Sequence, residues 1–456
     1  MKETQVQNLQ NLVGKEKVLY LKEDLICYSY DATNTSYLPD AVVIPKTVED
    51  VIKTVKYANQ NKIPLVSRGA GSGYTGGSLP IQGGIVLTME RMNKILELNP
   101  EKKYAIVEPG IVTFEFASKM KQKGLFYPPD PSSEKTSTIG GNVAECAGGL
   151  KGRKYGVTKN YVLGLEFVLS NGDIIRTGIL SDHQDIYDLD GLLIGSEGTL
   201  GVITKIALRL LEQPKYNETV FAGFSLMEDA AQVVSDITAA GIIPSVLEFI
   251  DGDTLDCVLQ YIKVDYIQKA SAVLLIECEG ETDEVQKDIE RIKNICEKNK
   301  ALSLKAAEKN EEKENLWKIR RSISASLLRL APTKVNEDVC VPSSQLPNLV
   351  KGIKELASEY KVKINTFGHA GDGNLHVNFM CNKKNQEEMH RVEQAVEKLF
   401  DLTLKLGGTL SGEHGIGITK QRFLEKEVGK SGIALMKRLK SAFDPEGIIN
   451  PGKIFP

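Results

Sequence analysis

The chain has 456 residues, of which 41% are hydrophobic and 26% are charged, and its formal net charge is −3. Single hydrophobic cores stop growing at roughly 300 residues, so this length predicts two or more domains. The small net charge gives no general attraction to nucleic acid or anionic lipid. The polar start MKETQVQNLQ is unlike a signal peptide, and apolar stretches such as 241–247 are too short for a membrane helix. We therefore expect a cytoplasmic protein without a nucleic-acid partner or a transmembrane segment.

The cysteines are widely separated. All seven lie at least 18 residues from one another, and the sequence contains no CxxC pair. This spacing excludes the usual local iron–sulfur and zinc-ribbon motifs and favours reduced thiols packed as small hydrophobic side chains. If the protein is a redox enzyme, another protein or a soluble acceptor must take its electrons.

The first part of the chain alternates short β-branched runs with helical patterns. A helix capped by Thr47 follows the first run, and an Asn171-Gly172 pair predicts a hairpin turn. The predicted strands are AVVI at 41, IPLVSR at 63, GIVLTM at 84, YAIVEP at 104, LGLEFVL at 163 and GVITKIALRL at 201. This alternation predicts a mixed helix and sheet domain.

The pattern changes after Gln213-Pro214. Longer amphipathic helices at 281–299 and 310–330 then alternate with strands at 218–226, 245–250 and 271–279. We predict a first domain over 1–213 and a second over 214–418. A helical C-terminal segment over 419–456, ending in the turn-rich FDPEGIINPGKIFP, is expected to return to the first domain.

A glycine-rich loop, RGAGSGYTGG at 68–77, follows one of the predicted strands. Gly71, Gly73 and Gly76 have the GxGxxG spacing of dinucleotide-binding crossovers. That fingerprint requires a helix, but the glycines and proline that follow at 77–84 would break one. The sequence of this loop therefore predicts either a phosphate-binding site built from backbone N–H groups or a surface loop that binds no ligand.

Two further loops have similar composition: DPSSEKTSTIGGNVAECAGG at 130–149 and GSEGTLG at 195–201. Together the three could line a long phosphate-bearing ligand. In this order, PLVSRGAGSGYTGG, PPDPSSEKTSTIGGNVAECAGG and GSEGTLGVIT resemble the flavin-binding domain of the vanillyl-alcohol oxidase and p-cresol methylhydroxylase group. Over about residues 30–456 the chain resembles its D-2-hydroxyacid dehydrogenase branch, which includes the glycolate oxidase catalytic subunit, D-lactate dehydrogenases and D-2-hydroxyglutarate dehydrogenase.

The resemblance implies an α+β fold, in which a p-cresol methylhydroxylase-type FAD-binding domain is joined to an α/β cap domain with an antiparallel sheet. The first loop would hold the FAD pyrophosphate, and the later ones would enclose the adenosine and the isoalloxazine. Non-covalent FAD is expected, because the first loop has neither His nor Cys. The implied FAD residues are Arg68, Gly69, Ala70, Gly71, Ser72, Gly73, Tyr74, Thr75, Gly76, Gly77, Pro131, Ser132, Ser133, Thr138, Gly140, Gly141, Asn142, Gly198, Gly201, Ile203 and Asn450.

Four of the five histidines, His369, His376, His390 and His414, lie within residues 369–414. The Gly371-Asp372-Gly373 turn interrupts a strand pattern, so His369 and His376 can face one point, and Asn378 shares the face of His376. Glu413 and His414 are adjacent in a glycine-framed loop. Two imidazoles and one carboxylate suit zinc, manganese or ferrous iron with coordination sites left for substrate. The alternative is two unrelated turns with satisfied polar side chains.

In the resembling dehydrogenases, the motifs HxxGDGNLHxN and SGEHG supply the metal ligands and the base. Matched to this sequence, they imply that His369, His376 and Glu413 bind a divalent metal and that His414 is the base. His183 and His390 lie in a polar loop and a charged helical stretch, and we assign them no role.

A substrate carboxylate requires a cation, which ENLWKIRRSISASLL offers on a helix. The resemblance implies that Arg320 binds the carboxylate and that Ser324 replaces a threonine that assists. A plain surface arginine is the alternative. A lysine of the 2-hydroxyglutarate branch has no clear match near NEDVCVP, where Lys334 is the nearest, which favours lactate or glycolate.

The expected reaction is oxidation of a D-2-hydroxy acid, D-lactate first, with His414 taking the hydroxyl proton and hydride passing from C2 to flavin N5. Electrons would go to an electron-transfer flavoprotein, with an iron–sulfur subunit or quinone-linked transfer as alternatives. Two other classes stay open. They are a metal-dependent hydrolase in which Glu413 or His414 activates water, and a non-catalytic FAD-bearing electron-transfer subunit.

Overall fold

The computed structural model describes residues 1–183, 187–262, 269–307 and 309–455. These residues form two compact units. The first contains Met1–Gly148, Val157–Gln213 and Glu413–Pro456, and the second contains Gly149–Gly156 and Pro214–Gly412.

Within the described residues, the strands are β1 (Val18–Leu19), β2 (Ala41–Val43), β3 (Leu65–Arg68), β4 (Ile85–Thr88), β5 (Ile95–Asn99), β6 (Tyr104–Val107), β7 (Leu125–Phe126), β8 (Val162–Val168), β9 (Ile174–Arg176), β10 (Val202–Arg209), β11 (Leu211–Glu212), β12 (Tyr216–Phe224), β13 (Val246–Asp251), β14 (Ala272–Gly280), β15 (Ser303–Ala306), β16 (Thr333–Cys340), β17 (Lys363–Gly368) and β18 (Asn374–Cys381). Each strand predicted from the sequence is present, with ends shifted by a few residues.

The α-helices of the same residues are α1 (Glu3–Val13), α2 (Lys22–Ile26), α3 (Val48–Asn61), α4 (Thr113–Lys121), α5 (Ile139–Glu145), α6 (Gly152–Tyr155), α7 (Leu189–Leu193), α8 (Met227–Ala239), α9 (Gly252–Leu259), α10 (Thr282–Lys298), α11 (Asn310–Leu327), α12 (Leu346–Glu359), α13 (Gln386–Lys405) and α14 (Leu424–Phe443). In this part of the chain, no helix combines the length and apolar character that a membrane span needs.

The first unit contains a four-stranded sheet in the order β1-β2-β4-β3, in which β2, β4 and β3 run parallel. Alternate residues of the parallel strands enter two separate cores. Val43 and Leu87 pack with side chains of α1 and α3, whereas Val42 and Val86 pack with Leu25 on the other face. Both faces are covered, which explains why these strands are continuous apolar runs.

The capping and turn predictions for this unit are confirmed. Thr47 Oγ1 accepts a hydrogen bond from Asp50 N at the start of α3, as a capping box does. Asn171-Gly172 joins the antiparallel strands β8 and β9. The chain from β3 to its parallel neighbour β4 contains only a loop, so the GxGxxG spacing does not begin a helix. A second, antiparallel sheet of this unit has the order β5-β6-β10-β8-β9.

The second unit is built on one antiparallel sheet in the order β15-β12-β14-β13-β17-β18-β16. Helices α9 and α11 cover one face, where Ile319 and Ile323 pack against Ile250 and Leu275. The helices α8 and α10 contact strands of the same sheet. Strands β17 and β18 form a hairpin whose connection is residues 369–373. The predicted α+β architecture with an antiparallel second sheet is confirmed.

The expected second domain, 214–418, differs from the observed second unit at its C-terminal end. Residues 413–418 belong to the first unit, because their backbone is bonded to it. The Glu197 carboxylate accepts hydrogen bonds from Ile416 N and Gly417 N, both at 2.7 Å, and Ile418 N donates to Thr75 O at 2.8 Å. Glu413 and His414 are therefore part of the first unit, not of the cap.

A short excursion, residues 149–156, also departs from the expected boundaries and belongs to the second unit. Lys151 Nζ forms an ion pair with the buried Glu279 at 2.8 Å. Gly152 lies so close to Asp372 that a Cβ there would be 2.6 Å from its Oδ2. Charge pairing and this close approach hold the excursion against the second unit.

Candidate active site

In the first unit, the glycine loop is held by the guanidinium group of Arg68, the last residue of β3. Its Nη2 donates to Tyr30 O at 2.8 Å and its Nη1 donates to Ser78 Oγ at 3.1 Å. Gly71 has a φ of +69°, and a Cβ there would lie 2.1 Å from Arg68 Nη2. Only glycine permits this backbone to wrap the guanidinium. Burial lowers the pKa of Arg68 from its ordinary value.

Two residues of the C-terminal segment also form hydrogen bonds to this loop. Asn450 Nδ2 donates to Gly77 O and to Glu197 O, both at 2.8 Å. The buried Lys453 ammonium donates to Gly76 O at 2.5 Å and to Leu79 O at 2.6 Å. Burial lowers the pKa of Lys453 to about 8. Asn450 therefore joins the first and third glycine-rich loops. Lys453, which the sequence did not single out, fixes the carbonyl group of Gly76 in the first loop and that of Leu79 just after it.

The second glycine-rich loop begins α5. Thr138 caps this helix by accepting from Gly141 N at 3.2 Å, and Asn142 Nδ2 donates to Thr113 Oγ1 at 2.8 Å. A Cβ at Gly69 would lie 2.4 Å from Thr138 Oγ1, so the first two loops touch. A cavity of about 390 Å³ opens beside this contact, and its lining includes Arg68, Gly69, Ala70 and Thr138. The acids Glu90 and Glu115 also line this cavity.

Other residues expected at the cofactor also lie in the first unit. Ser133 O accepts from Thr136 N and Ser137 N at 2.8 and 2.7 Å, which closes the 131–137 turn. A Cβ at Gly198 would be 2.9 Å from Ser67 Oγ, and Ile203 lies in β10 opposite Phe167. The remaining residues of this set are Ser72, Gly73, Tyr74 and Thr75 in the first loop, Pro131, Ser132 and Gly140 in the second, and Gly201, the residue before β10. Their contact with FAD stays a prediction.

A pair of buried carboxyl groups stands between these loops. A Cβ at Gly77 or Gly415 would lie 2.8 or 2.9 Å from oxygens of Glu145, and Glu197 holds the 416–417 backbone. Burial and the charge of Glu197 raise the pKa of Glu145 well above its ordinary value. The sequence showed these acids only as parts of the AECAGG and GSEG motifs.

His414 is held by the glycine loop of its own unit. Its imidazole stacks on the Tyr74 ring with centroids 4.9 Å apart, and Thr75 Oγ1 donates to His414 O at 3.1 Å. The residue expected to be the base is therefore in direct contact with the loop expected to bind the cofactor. Glu413 precedes His414 at the start of this segment, where a Cβ at Gly148 would lie 3.1 Å from Glu413 Oε2.

In the second unit the two predicted metal-binding histidines converge. His369 follows β17 and His376 lies in β18, and their buried rings meet edge to face with centroids 5.4 Å apart. Gly373 reverses the chain between them in a left-handed conformation, where a Cβ would lie 1.8 Å from Val341 O. Two imidazoles that share one tetrahedral zinc ion at about 2.1 Å have ring centres roughly 5 Å apart. The pair therefore fits a divalent ion.

Sequence reasoning missed Glu248, a fully buried carboxylate in β13. Its Oε1 lies 2.5 Å from His369 Nδ1, and its Oε2 accepts a short hydrogen bond from Arg320 Nε. Burial alone would raise the pKa of Glu248, but the charges of Arg320 and His369 lower it to about 2. The sequence did contain a sign that Glu248 has a charged or polar partner, because an acid inside the apolar run SVLEFID requires one when it is buried.

Arg320 is buried, which excludes the surface-arginine alternative, whereas its neighbour Arg321 is exposed. Its guanidinium lies 5.0 Å from the centre of the Phe367 ring. Within the described part of the chain, Arg320 Nη2 is buried without a hydrogen-bond partner. One turn later, Ser324 Oγ accepts from Lys334 Nζ at 2.7 Å, and burial lowers the pKa of Lys334 to about 8. Helix α11 therefore carries a planar guanidinium group, and its Nη2 can still donate hydrogen bonds to a ligand.

Asn378 lies two residues after His376 on the same face of β18, as predicted. Its Nδ2 donates to Asn365 O and His376 O, both at 3.1 Å. Asn365 and Asn336 are its register partners on the two neighbouring strands. Among the described residues, the Oδ1 atoms of all three asparagines are buried without a partner. This row of amides was not anticipated from the sequence. His183 and His390, which were assigned no role, are exposed.

Two family models match the chain. "FAD linked oxidases, C-terminal domain" matches residues 213–454, and "FAD binding domain" matches residues 39–178. The matched ranges include residues of both units of the structure.

Several curated proteins are similar along nearly their whole length. Glycolate oxidase subunit GlcD of Bacillus subtilis is 47% identical over 94% of this chain and 92% of its own. D-lactate dehydrogenase of Anaerostipes hadrus is 33% identical over 91% and 89%. D-2-hydroxyglutarate dehydrogenase of Stutzerimonas stutzeri is 33% identical over 99% and 98%.

Solved structures show the same fold at lower identity. p-Cresol methylhydroxylase with substrate bound has a TM-score of 0.81 and 19% identity over 99% of this chain and 96% of its own. Alkyldihydroxyacetonephosphate synthase has a TM-score of 0.77 and 21% identity over 99% and 86%. With the matched family models and the 47% identical relative, this likeness establishes that the chain belongs to the FAD-linked oxidases and has a flavin-binding fold of the p-cresol methylhydroxylase type.

Proposed function

We propose that this protein oxidises a small D-2-hydroxy acid, with D-lactate giving pyruvate as the first choice, using non-covalent FAD and a divalent metal. The observation that carries the proposal is the arrangement of Arg320 and His369 on the two oxygens of Glu248. A 2-hydroxy acid has a carboxylate next to a hydroxyl group. A fork-shaped cation beside a metal-type histidine pair suits those two groups.

FAD supplies the acceptor for the hydride that leaves C2, and a divalent ion supplies Lewis acidity toward the hydroxyl oxygen. His369, His376 and Glu413 would hold the ion. Gly412, the residue before Glu413, packs so closely on Asn374 that a Cβ would be 2.3 Å from its Cγ, and Asn374 lies two residues before His376. The chain is thus fixed on the second unit one peptide bond before the carboxylate ligand.

The chain's own residues divide the remaining work. Arg320 binds the substrate carboxylate through its Nη groups, since its Nε is engaged by Glu248. His414 accepts the proton of the substrate hydroxyl on a ring nitrogen, as a general base does. Asn378 and Ser324 are proposed to orient the substrate. Removal of one proton from oxygen and one hydride from C2 leaves the 2-oxo acid.

Two other acids of the same class are candidates. Glycolate is favoured by the 47% identical relative that is named a glycolate oxidase subunit. D-2-hydroxyglutarate is favoured by Lys334, a half-buried cation bonded to Ser324 that could face a second carboxylate. For either acid we propose a separate electron acceptor, such as an electron-transfer flavoprotein or an iron–sulfur subunit. The described residues contain seven unpaired cysteines and no disulfide or local cluster motif.

Purified protein tests the class of function. The proposal predicts a yellow protein that contains FAD and a divalent metal and whose flavin is reduced by a 2-hydroxy acid under anaerobic conditions. A colourless protein that FAD cannot reconstitute would contradict it and favour a metal-dependent hydrolase. A yellow, metal-loaded protein whose flavin stays oxidised with lactate, glycolate and 2-hydroxyglutarate would favour a non-catalytic electron-transfer subunit.

A further inference from the structure

Glu248 differs from Glu277 and Glu279, two other buried acids of its sheet, in the identity of its partners. Glu277 accepts from Thr219 Oγ1 and lies 3.5 Å from Lys313, and Glu279 pairs with Lys151. Those partners have no expected role at the active site. Both partners of Glu248, by contrast, are side chains expected to bind substrate or metal.

The bond to His369 selects which ring nitrogen is available. Glu248 Oε1 occupies Nδ1 at 2.5 Å, so Nδ1 must carry the proton and Nε2 remains as the possible metal-binding atom. Histidine ligands of metals commonly donate their other N–H to a carboxylate, which fixes the tautomer and the orientation of the ring. The carboxylate of Glu248 provides that partner from β13, where Glu248 pairs with Leu275 of β14 and the next two residues pair with β17.

The bond to Arg320 likewise selects which guanidinium nitrogens are available. Glu248 Oε2 accepts from Nε. This leaves the two Nη groups, and among the described residues Nη2 is buried without a partner. Stacking on Phe367 holds the plane of the guanidinium. Because Phe367 also contacts the His376 ring, at 5.2 Å between centroids, the arginine and both histidines form one packed group around Glu248.

We propose that Glu248 is a positioning residue that sets, through its two oxygens, both the metal-binding face of His369 and the carboxylate-binding face of Arg320. This inference rests on the proposed function. It adds that metal affinity and substrate affinity depend on one carboxylate that touches neither ligand. Removing its charge therefore weakens both at once.

The test compares Glu248→Gln with the matched control Glu277→Gln, which removes a buried carboxylate from the neighbouring strand. Both are prepared as FAD-loaded holoenzyme. Mn²⁺ binding is titrated without substrate, and the substrate dissociation constant is taken from the concentration dependence of anaerobic flavin reduction by D-lactate. Loss of a carboxylate that orients a ligand weakens metal binding by about 10- to 100-fold. Glu248→Gln is expected to show that loss together with weaker substrate binding and an unchanged flavin spectrum, whereas Glu277→Gln changes neither constant.

Unchanged Mn²⁺ and substrate affinities in Glu248→Gln overturn the inference. A wild-type protein that binds Mn²⁺ but is reduced by no 2-hydroxy acid refutes the proposed function, and the Mn²⁺ titration still tests the link to His369. If Glu248→Gln does not fold, ¹⁵N-histidine NMR of the Zn²⁺-loaded wild type gives the answer. A proton on Nδ1 of His369, assigned with His369→Asn, supports the inference, and a proton on Nε2 contradicts it.

Discussion

The imidazole of His414 stacks on the phenol ring of Tyr74, with centroids 4.9 Å apart and ring planes inclined by 29°. Tyr74 and Thr75, which bonds the His414 carbonyl, both belong to the glycine loop. Glu197 fixes the backbone on the other side of His414 through Ile416 N and Gly417 N. The proposed base is therefore held by the loops that we propose to bind the cofactor.

Replacing His414 with alanine removes the proposed proton acceptor but leaves the glycine loop intact. His414→Ala is expected to retain FAD and metal while the rate of flavin reduction by substrate falls by about 10²- to 10⁴-fold, the usual contribution of a general base. Anaerobic stopped-flow absorbance measures this rate. His390→Ala, at an exposed position in α13, is the control and should reduce normally. Near-normal reduction in His414→Ala would refute the assignment of the base.

Replacing Arg320 with lysine retains the charge that Glu248 requires but loses the planar fork. Hydrogen bonds to charged groups contribute about 1.5–3 kcal/mol, so substrate should bind roughly 10- to 100-fold more weakly. The dissociation constant from flavin reduction measures the effect. Arg321→Lys alters an exposed neighbour on the same helix and should have no effect. Equal substrate affinities in the two variants would remove Arg320 from the site.

Chelation tests the proposed ion separately from FAD. Dialysis against a chelator is expected to abolish flavin reduction without releasing FAD, because none of the proposed FAD-binding residues is among the proposed metal ligands His369, His376 and Glu413. Addition of Zn²⁺, Mn²⁺ or Fe²⁺ should restore reduction, and the ion that restores it best identifies the metal. If the purified protein contains no metal and chelation leaves its activity unchanged, His369, His376 and Glu413 are not metal ligands.

The buried ammonium of Lys453 gives a pH dependence of stability. Its pKa falls from 10.5 to about 8 on folding because of burial. Between these values the unfolded chain binds more protons, so this group makes stability rise with pH, by at most about 3 kcal/mol. Below about pH 8 both states are protonated and the full cost of burying the charge remains.

Urea unfolding of wild type and Lys453→Met at pH 7, 9 and 10 would measure this contribution. We expect the free energy of unfolding of the wild type to rise relative to the variant across this range. A constant difference between the two proteins would show that Lys453 keeps an ordinary pKa in the folded state.

Much of the fold follows from local sequence signals. Strands such as β2 and β4 are short runs of β-branched residues between turn signals, and Thr47 with Asp50 marks the start of α3. The absence of a helix after the glycine loop follows from the glycines and proline at 77–84. The convergence of His369 and His376 was predictable because a single tight turn joins their two strands.

The parts that sequence reasoning missed depend on pairings between distant residues. Glu248 lies 72 residues from Arg320 and 121 from His369, so the order of strands in the sheet and the packing of α11 on it bring them together. Lys453 reaches carbonyl groups more than 370 residues away. Residues 149–156 carry no change in composition that would mark their membership of the second unit. Partners of buried charges are set by topology, and a sequence shows only that a partner is required.

Anaerobic reduction of the flavin by D-lactate tests the central claim most directly. Metal-loaded protein is mixed with D-lactate, L-lactate, glycolate and D-2-hydroxyglutarate in turn, and visible absorbance is followed with the yield of 2-oxo acid. We predict that D-lactate bleaches the flavin and gives one pyruvate per flavin, while L-lactate does not. A flavin that stays oxidised with all four acids would contradict the proposal that this protein is a 2-hydroxy acid dehydrogenase.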